Sequence, residues 1–364
     1  MTYSGNGTER SAAPNTSAAK AGPSVVALGG GHGLHATLRA LRRITDRVTA
    51  VVTVADDGGS SGRLRAELPG LIPPGDLRMA LSALADQEDG AWARTVQRRF
   101  GGEGPLAGHS VGNLILAGLT EELGDPVAAL DALAAVLHVR GRVLPMASTA
   151  LDIEADVVGL EADPRVSRCV RGQVAVATTP GRVRRVRLDP ADPPACAPAV
   201  AAVESADAVF LGPGSWFTSV IPHVLVPELR EALLHTRARK VLVLNLVAER
   251  GETAGFSAER HLHVLSAHAP ELTVDHVVVD SGTVCEGRER EHLVRAAEQL
   301  RARVTFADVA EPGTHRHHPG KLAAALDELI SPAARHLEWS GIGDGVDTGV
   351  DAVPLGGKEG ASWL

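Results

Sequence analysis

Ser24-Val25-Val26-Ala27-Leu28-Gly29-Gly30-Gly31-His32-Gly33 opens the stretch that decides the fold, which closes at Val48–Val54 and Ala55-Asp56-Asp57-Gly58-Gly59. Ser24–Leu28 reads as a short apolar strand, and the glycines after it read as a turn. Leu34, Leu38, Leu41 and Ile44 then recur at helical spacing, with Arg39, Arg42 and Arg43 mostly on another face. Val48–Val54 is a second continuous apolar run, as expected of a strand buried on both faces. Strand, glycine turn, helix and strand make a βαβ unit. Such a unit predicts a parallel sheet with a right-handed crossover.

The same alternation continues outward. Helices are expected over Asp76–Ala85, Gly112–Leu123, Val127–Leu137, Val224–Leu234, Ala258–Ala267 and Arg290–Gln299. Parallel-type strands are expected at Ala208–Leu211, Lys240–Leu246, Asp275–Val279 and Arg303–Phe306. Between about 150 and 188 the pattern changes to alternating strands, Asp152–Val158, Gln173–Ala177 and Arg182–Leu188, ended by the proline-rich Asp189–Pro198. The expected fold class is α/β: a Rossmann-like, mostly parallel sheet with helices on both faces and a small antiparallel β excursion. Residues 1–23 are expected to be a disordered leader, 24–331 the nucleotide-binding domain, and 332–364 a flexible tail.

Composition narrows the function. Of 364 residues 44% are hydrophobic but only 3% aromatic, so Ala, Val and Leu must build a core in which helices approach the sheet closely. A net charge of −8 argues against a general nucleic-acid binder. Cys169, Cys196 and Cys285 stand far apart without a C-x-x-C pair, which gives neither a disulfide framework nor a zinc site. No apolar run reaches the length of a membrane span, and the N-terminus lacks the features of a signal peptide. A cytoplasmic protein without membrane insertion is expected. A homodimer is left open.

Several loops could carry chemistry. Gly29, Gly30, Gly31, His32 and Gly33 precede a helix, where backbone N–H groups and the positive helix end suit an anion. A tight turn without a ligand is the other reading. The run Asp56-Asp57-Gly58-Gly59-Ser60-Ser61-Gly62-Arg63 offers carboxylates for hydroxyls or Mg²⁺, hydroxyl donors, and a guanidinium; a solvated surface loop is the alternative. Asp76 is either a helix N-cap or a ligand contact. Gly212-Pro213-Gly214-Ser215-Trp216-Phe217-Thr218-Ser219 looks like a second anion turn, with Ser215, Thr218 and Ser219 as donors; a turn without a ligand is the other reading. Gly108-His109-Ser110-Val111-Gly112 fits a nucleophile elbow by pattern, but no strand precedes it, so it reads as a loop opening the helix that carries Asn113. His315, His317 and His318 lack the further ligands of a metal set, and Arg316 among them is the candidate anion clamp. Arg182, Arg184, Arg185 and Arg187 read as a solvated strand face, with RNA contact as the alternative.

Taken in order, GGGHGL, VTVADDGGSSGRLR, IPPGDLR, GHSVGNLILAGL, VFLGPGSWFTSVIPHVLVP, NLVAERGETAGFS and THRHHPGKLAAAL resemble the CofD-like superfamily over about residues 24–331. Within it the chain is similar to the bacterial YvcK-type gluconeogenesis factors. The resemblance implies a Rossmann-like core and binding of UDP-sugars such as UDP-N-acetylglucosamine. It also implies a role in cell shape and envelope synthesis during gluconeogenic growth, with envelope-synthesis proteins as partners. Carried over by motif, the ligand residues are Gly29–Gly33, Asp56–Arg63, Gly212–Thr218, Asn245, Thr253–Phe256 and Arg316, with Asp76 and Asn113 as further candidates. Phe256 stands where YvcK-type proteins commonly carry tyrosine, which keeps a ring to stack but removes a hydroxyl, and His32 replaces a more usual Thr. No firm cofactor is implied. The other branch of the superfamily, the 2-phospho-L-lactate transferases, makes a Mg²⁺-dependent phosphotransferase with Asp56 and Asp57 on the metal the alternative. A nicotinamide-dependent dehydrogenase rests on the βαβ unit alone.

Overall fold

A computed structural model describes residues 22–331 other than 88, 89, 164 and 250. The expected leader up to residue 21 and the expected tail lie outside the described residues. The main sheet contains β1 (Val25–Gly29), β2 (Val48–Val52), β3 (Arg142–Pro145), β7 (Ala208–Leu211), β8 (Arg239–Val243), β9 (His276–Asp280) and β10 (Arg303–Ala307). A second sheet holds β4 (Asp152–Val158), β5 (Ser167–Arg171) and β6 (Arg182–Asp189).

The seven strands run parallel in the order β10-β9-β8-β7-β1-β2-β3. Val25 pairs with Val48 on one side and with Ala208 on the other, so β1 lies between the two halves. The chain builds outward from β1 to β3, then returns beside β1 to build β7 to β10 the other way. That reversal is a topological switch point, and open α/β sheets bind ligands beyond the strand ends there. Every residue of β1, β7 and β9 is buried, which is why β1 and β7 read as unbroken apolar runs and β9 carries three consecutive valines. Helix α1 (Gly31–Leu41) buries Leu34, Leu38 and Leu41, the periodic residues of the opening stretch.

The small sheet has the antiparallel order β5-β4-β6. Two of its arginines are paired with acids: Arg171 reaches Asp152 at 3.0 Å and Asp189 at 2.5 Å, while Arg187 reaches Asp156 at 2.7 Å; Arg182, Arg184 and Arg185 are exposed.

Three expectations need correction. Gln173–Ala177, expected as a strand, is a short helix, because Gly172 at φ 98° turns the chain and Asp57 Oδ1 accepts the N–H of Val174 at 2.9 Å. The second excursion strand is instead the earlier Ser167–Arg171. The long helix expected over Val224–Leu234 is broken, since Pro227 ends the preceding turn at Val226 and a new helix runs Pro227–His235. The supposed loop after Asp57 coils directly into α2 (Gly59–Glu67), which buries Ser60 and Ser61. The four-residue strand β3 had too short an apolar run to stand out.

Candidate functional site

The two glycine turns meet at the switch point. A Cβ on Gly33 would lie 2.2 Å from Pro213 O and 2.7 Å from Gly214 Cα, so only glycine lets α1 start against the second turn. Asn245, just beyond β8, clasps that turn: its Oδ1 accepts the N–H of Gly214 at 2.8 Å and its Nδ2 donates to Gly214 O at 2.9 Å. Thr37 Oγ1 donates to Gly212 O at 3.2 Å from the far side. Asn245 therefore shapes the turn as well as facing the open space above it.

Above these turns lies a cavity of about 460 Å³, lined by His32, Gly33, His35 and Arg39 of α1, Gly214, Asn245 to Val247, Glu249, and the loop of Glu311 and His315 to His317. Burial, with Arg39 and His32 nearby, lowers His35 to about 4, and burial lowers His317 to about 4, so both rings are neutral at physiological pH. The fixed positive charge comes from Arg39 and Arg316. Among the described residues the exposed Arg316 guanidinium has no hydrogen-bond or ion-pair partner, which leaves it available to an anion. Asp280 positions that loop: its Oδ1 accepts the N–H groups of Val309 and Ala310, each at 3.0 Å, and its Oδ2 that of Gly282 at 2.9 Å. An acid ending a buried strand was the signal for Asp280, but sequence could not say that it braces the Arg316 loop.

A polar core lies on the other side of the first glycine turn. A Cβ on Gly30 would meet Asp76 Oδ2 at 2.5 Å and Ser219 Oγ at 3.2 Å, and one on Gly75 would meet both Asp56 Oδ2 and Ser61 Oγ at 2.6 Å. Asp76 is not a cap, since Pro73 holds that position on α3 (Pro74–Leu84); its carboxyl instead accepts the N–H of Gly31. Burial and then the neighbouring Asp56 raise Asp76 to about 7. Arg78, missed by sequence reasoning, is 4% exposed beside both acids, and its Nε donates to Asn113 Oδ1 at 2.8 Å. Asn113 Nδ2 donates to Ser60 Oγ at 3.0 Å, and that oxygen stands 3.0 Å from His109 Nδ1. Asn113 and Ser60 thus support the Arg78–Asp76 core from behind. Ser110 is fully buried as the N-cap residue of the helix Val111–Leu123.

Other candidates are engaged elsewhere. Arg63 donates to Ala107 O at 2.9 Å. Asp56 Oδ1 accepts the N–H of Gly58 at 2.9 Å while Asp57 binds Val174, so the adjacent acids are split between different neighbours. The Asp56 and Asp57 carboxylates thus face different neighbours, and among the described residues no three His, Cys, Asp or Glu side chains come together. Thr253 Oγ1 accepts the N–H of Glu249 at 2.8 Å, closing its own loop. Phe256 makes T-shaped contacts with Phe217 and His261, and Arg260 lies over its ring. Thr218 is buried against Glu252, and Ser215 Oγ donates to Glu249 Oε2 at 2.6 Å.

A family model described as 2-phospho-L-lactate transferase CofD matches residues 25–314, which span both glycine turns and the Asp76 core. The chain belongs to the CofD family. Among CofD-family relatives, a Mycobacterium tuberculosis protein bearing the gluconeogenesis-factor name is 68% identical over 309 residues, 84% of this chain and 90% of that protein. The gluconeogenesis factor of Bacillus subtilis is 38% identical over 325 residues, 85% of this chain and 98% of its own. A crystal structure from Bacillus halodurans, described as a member of the UPF0052 family, superposes with a TM-score of 0.74 at 35% identity, covering 84% of this chain and 99% of that one. The match extends to the α/β fold, and within the CofD family the chain stands with the gluconeogenesis factors.

Proposed function

We propose that this chain is a sugar-nucleotide-binding regulatory protein of the cytoplasm, with UDP-N-acetylglucosamine or a close analogue as ligand. One observation carries the reading: the cavity at the switch point joins the N-terminal end of α1, the clasped Gly214 turn and the unpartnered Arg316 guanidinium around a volume of about 460 Å³. That size suits a nucleotide-scale ligand. The helix end and Arg316 offer donors to a diphosphate, while Leu246 and Val247 offer an apolar wall to a base or sugar. By relation to the gluconeogenesis factors, the bound state would signal precursor supply to envelope synthesis and cell shape, through a protein partner. A thermal melt with millimolar UDP-N-acetylglucosamine tests the reading, because a ligand of the folded state raises the melting temperature by mass action. No shift at saturating ligand rejects it.

A second reading, phosphoryl-type transfer like that named for the CofD family, draws support from Asp76. An acid raised to about 7 next to Asp56 and under the first glycine turn is suited to accept a proton near neutral pH. Incubation with a nucleotide-activated phospholactate donor and a deazaflavin acceptor tests it, and unchanged substrates in the presence of folded protein remove it.

A further inference from the structure

The second glycine turn was expected to give its donors to a ligand, yet the loop after β8 fills them. Ser215 Oγ donates to Glu249 Oε2 at 2.6 Å, and the N–H of Phe217 donates to Glu252 Oε1 at 3.2 Å. Glu252 is 2% exposed, and its burial, together with the charge of Glu249, pushes its carboxyl upward. Glu249 is the member of the pair that lines the cavity, beside Gly33, Gly214 and Arg316. Its place is fixed by Thr253 Oγ1, which accepts its backbone N–H at 2.8 Å. A carboxylate thus stands in the wall of a site otherwise built for an anion.

We propose that Glu249 is a specificity-determining residue that favours sugar nucleotides over free nucleoside diphosphates. The inference rests on the sugar-nucleotide reading of the cavity. In a sugar nucleotide each phosphate carries one ester link beside the anhydride they share, and so one charge apiece. A free nucleoside diphosphate ends in a phosphate substituted only through that anhydride, whose second ionisation, like that of a phosphate monoester, falls near pH 6, so it brings more negative charge near neutrality. That extra charge meets repulsion from Glu249, whose carboxylate already takes up the Ser215 hydroxyl. A sugar instead brings hydroxyl donors that the carboxylate accepts. The residue would let the protein register the charged precursor and ignore the spent nucleotide released when the sugar is transferred.

The test measures binding of UDP-N-acetylglucosamine, UDP and uridine to the full chain by calorimetry near pH 7.5, for the wild type and Glu249→Gln. The amide keeps the size of the side chain and can still accept from Ser215. UDP should bind the variant roughly tenfold tighter, from relief of one like-charge interaction at the site, with uridine unchanged and the sugar nucleotide within about threefold. An unchanged ratio of UDP to sugar-nucleotide affinity overturns the assignment of Glu249 alone. A weaker sugar nucleotide with no gain for UDP also overturns it, since Glu249 would then be an ordinary hydroxyl acceptor. Binding of none of these ligands by the wild type overturns the cavity reading and this inference with it. A second measurement needs no variant: raising salt from about 20 mM to about 0.5 M should narrow the wild-type preference, and a salt-independent preference refutes an electrostatic filter.

Discussion

Gly33→Ala sets two opposing effects against each other. Alanine in a helix gains about 1 kcal/mol over glycine. Its Cβ, however, would sit 2.2 Å from Pro213 O, and that oxygen cannot withdraw without moving Gly214, which Asn245 holds through two hydrogen bonds. Overpacking of this kind costs about 1–3 kcal/mol, and a clash with backbone belongs at the upper end. The net is a loss of up to about 2 kcal/mol, or roughly 4 °C in melting temperature for a domain of this size. Because Gly33 and Gly214 both line the cavity, ligand affinity should fall as well. Gly118→Ala is the control: Gly118 is exposed in the helix Val111–Leu123 with nothing within 4 Å of an added Cβ, so that variant should melt higher than wild type. Paired thermal melts and calorimetric titrations read both quantities. Were Gly33→Ala to melt as high as Gly118→Ala and bind undiminished, the close approach of the two turns would be refuted.

Other expectations follow from the same geometry. Arg316→Ala should leave the melting temperature unchanged and weaken UDP-N-acetylglucosamine about tenfold to a hundredfold, the loss of a charge-assisted hydrogen bond; equal affinity would show the clamp is misplaced. Asp76 is raised from 3.8 to about 7 in the folded chain, so folding binds a proton and stability should fall as pH rises from about 4 through about 7. Asp76→Asn removes that titration, and urea midpoints at acid and alkaline pH should differ less for the variant than for wild type; equal slopes refute the shift. Arg78→Met strips the buried cation from beside Asp56 and Asp76 and leaves Asn113 Oδ1 unpaired, which should cost about 3–5 kcal/mol in urea denaturation, with Arg78→Lys recovering part. A loss under about 1 kcal/mol would mean the acids do not depend on Arg78.

Much of this arrangement was legible in advance. Strands buried on both faces announce themselves as apolar runs, so Ala208–Leu211 was placed correctly and β1, β2, β8, β9 and β10 to within a few residues. Gln173–Ala177 went wrong because its alternation of valine and alanine suits a strand locally, while the side chain that turned it into a helix, Asp57, comes from 117 positions earlier. The site divides in the same manner. The glycines were readable, since a tight approach leaves no choice of residue, and so was Arg316 as a cation in a polar loop. Arg78 and Glu249 were not singled out, and Asp280 was legible only as an acid at a strand end, because each owes its role to partners from distant segments.

The sequence by itself determined the α/β alternation, the parallel sheet, the position of the glycine turns at strand ends and the family to which the chain belongs. The alternation, the sheet and the turns follow from local periodicity and from residue types that only one conformation tolerates, and the family from the likeness of whole motifs. Tertiary structure alone decided which polar groups face the cavity and which are satisfied from within. Ser215, Asp57 and Phe256 all carry ligand-type chemistry, yet Glu249, Val174 and the Phe217–His261 cluster claim them first. A donor or ring shows its chemistry in the chain; whether it is still unspent depends on what the fold sets beside it, since buried polar groups seek the nearest partner.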